Sequence, residues 1–170
     1  MIFKYFKSIG IKPFEKSKMH IWPNASINDI MFRVLNQLLY FQSCNFNKTK
    51  IADVGSGIGV HANYFLTKEA EVTCYEPNVT CALISKELFP NLNIIQNKFD
   101  FKKYHIITLF GVCEFIDDQQ EIDDIFNCCN FLITDNGVNI KQNYNKIYQK
   151  NYFDKVKNRT RYFEVYKNGC

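Results

Sequence analysis

Asp53, Gly55, Gly57, Gly59 and Glu76 are the residues whose types and spacing promise chemistry. The run Ile51-Ala-Asp-Val-Gly-Ser-Gly-Ile-Gly59 carries an apolar strand into three glycines at alternate positions. Glycine lets a backbone approach a ligand closely and takes φ values that other residues avoid. A helix that starts just past such a loop presents free N–H groups, so a strand–loop–helix unit of this kind is a nucleotide-type binding corner. The dinucleotide fingerprint wants a third glycine three residues after the second, and Val60 stands there instead. An acidic residue just ahead of the loop also disfavours a pyrophosphate. Both departures suit a ligand without phosphates. Glu76 ends the next apolar run, about 20 residues past the glycines.

The elements that must hold these residues alternate along the chain. Ser26 can cap a helix, with Asp29 at its third position. Ile27, Ile30, Met31, Val34, Leu35, Leu38 and Leu39 then follow helical spacing to about Tyr40. Strands are expected over Lys50 to Val54, Glu71 to Tyr75, Leu92 to Gln96, Tyr104 to Phe110 and Cys129 to Thr134. Helices fall between them at Gly59 to Leu66, Asn78 to Leu88 and Asp117 to Asn127. Asn78 caps the second, Pro90 stops it, and an acidic start suits the third. The nearly all-apolar fourth strand reads as a buried parallel strand. Asn143 to Gln149 reads as helical. Asn151 to Val156 and Thr160 to Tyr166 read as a hairpin around Lys157-Asn158-Arg159. The fold class is therefore α/β, a three-layer sandwich with a mostly parallel, doubly wound sheet, an antiparallel terminal hairpin and an N-terminal helical segment.

Composition agrees with one globular domain. The chain has 170 residues, 46% apolar and 22% charged, enough for a real core. It contains no run of 18 uncharged apolar residues, so no membrane span is expected. The Phe/Lys-rich start lacks the pattern of a signal peptide. Seven cysteines without a Cys-x-x-Cys, and three scattered histidines, support neither a disulfide framework nor a metal site. Reduced thiols and a cytoplasmic setting are expected. The net charge of +4 is mild, and the basic stretch Lys141 to Arg161 reads first as a solvated face. Nucleic acid is a partner to keep in view, not the favoured one.

The chain from Lys50 to Lys167 resembles the class I S-adenosylmethionine-dependent methyltransferases. Three motifs in order carry the likeness: Asp53-Val-Gly-Ser-Gly-Ile-Gly59, Val72-Thr-Cys-Tyr-Glu76-Pro77, and Tyr104-His-Ile-Ile-Thr-Leu-Phe-Gly-Val-Cys-Glu-Phe-Ile116. The resemblance implies S-adenosyl-L-methionine as the cofactor. It implies that Gly55, Ser56, Gly57 and Gly59 meet the methionyl part, that Asp53 faces the ammonium directly or through water, and that Glu76, with Pro77 after it, holds the ribose. Asn97 and Phe99 fall where the family cradles adenine, and Phe110 and Gly111 line the floor near the sulfur. Plainer roles stand beside these: Asp53 as a turn cap, Glu76 as a surface turn residue, Phe99 and Phe110 as core.

Residues 1–45 are expected to form a helical lid or substrate cap, and 46–170 the cofactor-binding domain. The acceptor is not legible. The loop after the fourth strand lacks the Asn/Asp-Pro-Pro-Tyr/Phe element of the DNA amino-methyltransferases. Leu109-Phe110 replaces the acid of the ribose methyltransferases, and Glu114-Phe115 replaces a Glu-His pair. Glu114 and His20 are the candidate catalytic residues, His20 because it lies beside Trp22 in the segment expected to cover the pocket. His61 is a third candidate base, read more readily as a helix-surface or pocket-edge residue. His105 reads as structural. A short acceptor region leaves the site open, suiting a small or intermediate-sized acceptor, a homodimer or a partner subunit. A catalytically silent cofactor-binding module and an RNA methyltransferase are the competing readings.

Overall fold

The computed structural model describes residues 33–34, 36–97, 99–100, 102–113, 116, 118–135, 144–154 and 158–169. Seven strands form one sheet: β1 (Lys50–Val54), β2 (Glu71–Tyr75), β3 (Asn93–Ile95), β4 (Tyr104–Leu109), β5 (Cys129–Thr134), β6 (Tyr144–Asp154) and β7 (Arg159–Asn168). Three helices join them: α1 (Val60–Thr67), α2 (Val79–Leu88) and α3 (Gln119–Asn127). Residues 33–34 and 36–39 are also helical. The strand order is β3-β2-β1-β4-β5-β7-β6. The first five strands run parallel, and β7 pairs antiparallel to both β5 and β6. The α/β class, the doubly wound sheet and the terminal hairpin expected from the sequence are all present.

Local chemistry explains the boundaries. Asn78 Oδ1 accepts from the Cys81 amide at 3.1 Å and starts α2. Asp118 accepts from the Gln120 amide at 2.8 Å and starts α3. The core lies on both sides of β1 and β4. Ile51, Phe65, Leu88 and Phe163 anchor one side, and Ile107, Leu109, Ile125 and Phe126 the other. His105 has the structural place expected of it, its Nδ1 accepting from the Lys50 amide at 2.9 Å.

Three expectations are corrected. Residues 144–149 belong to strand β6, not to a helix. Their partner is β7, with a register shift between Lys146 and Tyr148. Arg161 is not part of a solvated basic face, because it is wholly buried. Leu39 is 60% exposed, while Arg33 and Gln37 on the same helical segment are buried. Val34, Leu38 and Phe41 share the core cluster of Ile51 and Phe65. His20, Trp22 and Glu114 lie outside the described residues.

Candidate functional site

Because β1, β2, β4 and β5 are parallel, their C-terminal ends line one edge of the sheet. The chain order reverses between β1 and β4, and ligands in open α/β sheets bind at such a switch point. The glycine loop leaves β1 there. Gly55, Gly57 and Gly59 have φ of 67°, 57° and 80°, a region that only glycine enters freely. A Cβ on Gly59 would meet Ser85 Oγ at 2.3 Å, so α2 packs directly on the loop. A Cβ on Gly55 would collide with the Val112 side chain. Among the described residues, a Cβ on Gly57 would meet nothing within 4 Å. The crest of the loop therefore faces open space while its two flanks are packed.

Two carboxylates frame the loop. Glu76 is buried, with Oε2 accepting from the Gly57 amide at 2.6 Å and Oε1 from the Asn78 amide at 2.8 Å. It is thus a buried strut and not a surface turn residue, and each oxygen keeps a second lone pair for a ligand hydroxyl. Asp53 lies beneath the loop, 2% exposed. One oxygen accepts from Thr108 Oγ1 at 2.6 Å, and the other, Oδ2, has no hydrogen-bond partner among the described residues. Burial raises the Asp53 carboxyl pKa to about 7, against the Thr108 hydrogen bond and the Ala62 amide, with Glu76 adding to the rise. A buried carboxylate oxygen without a partner is costly, and a cationic or donor ligand group above it would return it to the charged form.

The other sequence-derived positions spread around the same edge. Ser56 is buried within the loop, and its amide approaches Tyr75 O at 3.3 Å. Pro77 and Asn97 are exposed. Phe99 is in the core, its ring centroid 4.9 Å from that of Tyr75. Phe110 stacks on His61 with centroids 4.5 Å apart. Gly111 has φ of 69°, and a Cβ there would meet Arg33 Nη2 at 2.7 Å.

Beside Gly111 stands a buried charged cluster that the sequence reading missed. Asp135, the residue after β5, accepts at Oδ1 from the Gly111 amide at 2.5 Å. At Oδ2 it accepts from Arg33 at 2.8 Å, Gln37 at 2.7 Å, Arg161 at 2.9 Å and Tyr152 at 3.1 Å. Arg161 Nε also lies 2.5 Å from Asp154 Oδ2. Burial alone would raise the Asp135 carboxyl pKa, but Arg33, Arg161 and the Gly111 amide outweigh it and hold it below the usual range. His61 joins through Gln37, with Nε2 and Oε1 2.9 Å apart. Burial lowers the His61 pKa to about 4, Asp135 opposing and Arg33 assisting. The only sequence signals were Arg33 and Gln37 four apart on an apolar helical face, and an acid directly after a buried strand.

The fold matches known structures. The magnesium protoporphyrin IX methyltransferase ChlM from Synechocystis PCC 6803, solved with bound SAM, superposes with a TM-score of 0.65 at 13% identity, over 97% of this chain and 94% of that one. The N-methyltransferase NodS from Bradyrhizobium japonicum WM9 gives 0.65 at 9% identity, over 84% and 98%. A Thermoplasma acidophilum protein, 1320, gives 0.67 at 14% identity, over 81% and 85%. No family model and no curated protein sequence matches the chain. The chain has the class I S-adenosylmethionine-dependent methyltransferase fold.

Proposed function

We propose that this protein is an S-adenosylmethionine-dependent methyltransferase acting on a small or intermediate-sized acceptor. The observation that carries the reading is the Asp53–Glu76 frame around a left-handed glycine loop whose crest is open at Gly57. The unpartnered Asp53 Oδ2 fits a ligand that brings an ammonium, directly or through water. Glu76, already tied to the Gly57 and Asn78 amides, fits a pair of ribose hydroxyls. Gly55, Ser56 and Gly59 shape the loop, Pro77 and Asn97 border the nucleoside side, and Phe110 and Gly111 border the sulfur. Phe99, packed in the core against Tyr75, backs the side where adenine would lie. The bound sulfonium supplies an activated methyl group, so the protein's task is to position the acceptor and exclude water.

Isothermal titration with S-adenosylmethionine and its demethylated product tests the reading. Binding that weakens in Glu76→Gln is expected, and no heat at millimolar ligand would end the proposal. The silent-module reading has one observation in its favour, the Arg33 guanidinium packed against Gly111. Binding without methyl transfer to any extract fraction would support it. The RNA reading is weakened because Arg161 is inside the protein. A steep fall of RNA affinity with salt would revive it.

A further inference from the structure

The sheet edge holds one more set of groups with a direction to it. Asp135 can only accept, so the Gln37 side chain must turn its Nε2 amide toward Asp135 Oδ2, 2.7 Å away. The same amide nitrogen lies 3.2 Å from the Tyr152 hydroxyl. Gln37 Oε1 is thereby left to face His61 Nε2 at 2.9 Å. A carbonyl oxygen can only accept, so His61 must carry its proton on Nε2. In the neutral ring Nδ1 then holds a lone pair. The ring is half-buried and stacks on Phe110, beside the end of β4. We propose that His61 is the acceptor-side base of the methyl transfer, taking the proton of a hydroxyl acceptor at Nδ1, and that Gln37 and Asp135 are positioning residues that fix its tautomer. This rests on the methyltransferase reading above.

The proton balance is simple. The acceptor oxygen forms its bond to the methyl carbon as the carbon–sulfur bond breaks. The bonding pair stays on sulfur, and the hydroxyl proton passes to His61 Nδ1 and then to water. A hydroxyl becomes strongly acidic once its oxygen is alkylated, so a weakly basic imidazole is enough. A neutral amine acceptor already offers a lone pair and needs no base in the step, so a positioned base points to a hydroxyl.

Two charged groups act on His61: Arg33 from the N-terminal helical segment and Asp135 from the end of β5. Tyr152 and Asp154 of β6 and Arg161 of β7 lie behind them, bound to Asp135 or to each other. Arg33 disfavours the imidazolium and Asp135 favours it, both secondary to burial.

Histidine-labelled protein, free and with S-adenosylhomocysteine, gives the test by nitrogen NMR across neutral and acidic pH. His61 is expected neutral at pH 7, with the proton on Nε2. Gln37→Leu should release the tautomer into a mixture, and Gln37→Glu should raise the His61 titration by about one unit or more. Diethyl pyrocarbonate, mapped by peptide mass, should modify His61 in the S-adenosylhomocysteine complex, which a sealed structural histidine would resist. A charged His61 at pH 7, an Nδ1–H tautomer, or no modification would each overturn the assignment. With methyl-labelled donor and a deproteinised extract, any labelled N-methyl product would overturn the hydroxyl assignment. Failure to bind S-adenosylhomocysteine would instead remove the methyltransferase reading, with the tautomer still readable in the free protein.

Discussion

Replacing Asp135 by asparagine removes one negative charge from the centre of the protein and leaves the side chain's shape nearly unchanged. Two guanidiniums, Arg33 and Arg161, lie within 2.9 Å of the carboxylate oxygen that is lost, and all three side chains are buried. Breaking a buried ion pair from one side costs about 3–5 kcal/mol, because the remaining charge stays desolvated. A domain of this size shifts its melting temperature by roughly 2–4 °C per kcal/mol. The expected loss is therefore about 6–20 °C, read by thermal unfolding and by urea titration. The pH dependence supplies a second check. Asp135 has its folded pKa held below the unfolded value, so its contribution is full above the unfolded value of about 4 and fades as pH falls through the folded one. The gap between wild type and variant should thus be constant from weakly acidic to weakly alkaline pH and narrow only in strong acid. A melting temperature within about 2 °C of wild type at neutral pH would refute the view that the cluster is held by this charge.

Asp53 behaves in the opposite sense. Its folded pKa of about 7 lies above the unfolded one, so the wild-type protein loses stability as pH climbs from about 4 to about 7. Asp53→Asn should remove that slope and stabilise the ligand-free protein at mildly alkaline pH by on the order of 2–4 kcal/mol, while weakening S-adenosylmethionine binding; parallel urea curves in acid and alkali would contradict it. Gly59→Ala combines a φ of 80° with a 2.3 Å approach to Ser85. It should cost about 2–4 kcal/mol, and a loss below about 1 kcal/mol in urea unfolding would show that the loop can yield. Asn78→Ala removes the bond to the Cys81 amide and should cost about 1 kcal/mol. An unchanged urea midpoint would mean that Glu76 or solvent replaces the cap.

The glycine-loop half of the candidate site was legible in the sequence because it is local. The loop, its two acids and the start of α1 fall within Ile51 to Pro77, and each residue's type follows from a backbone or charge requirement nearby. The Asp135 cluster was not legible, because Arg33, Asp135 and Arg161 meet only in three dimensions. Each was read by its average habit, and charged residues are on average solvated. The misreading of residues 144–149 has a related cause. From Asn145 to Lys150 every residue of β6 is exposed, so no alternating apolar pattern could mark the strand. Its conformation comes from pairing with β7, a partner that a local window does not contain.

The Asp135 cluster also fixes when the protein can become whole during synthesis. Arg33 precedes Asp135 by 102 residues, and Arg161 follows it by 26. The helical segment emerges from the ribosome first, yet the carboxylate that neutralises its guanidinium comes much later, and the second guanidinium later still. Until Asp135 is made, docking that segment would bury the Arg33 guanidinium without its carboxylate partner. The nascent chain is thus biased to keep Arg33 in water while β1 to β5 assemble. Docking of that segment on the sheet edge therefore waits for Asp135, and Arg161 on β7 then completes the cluster.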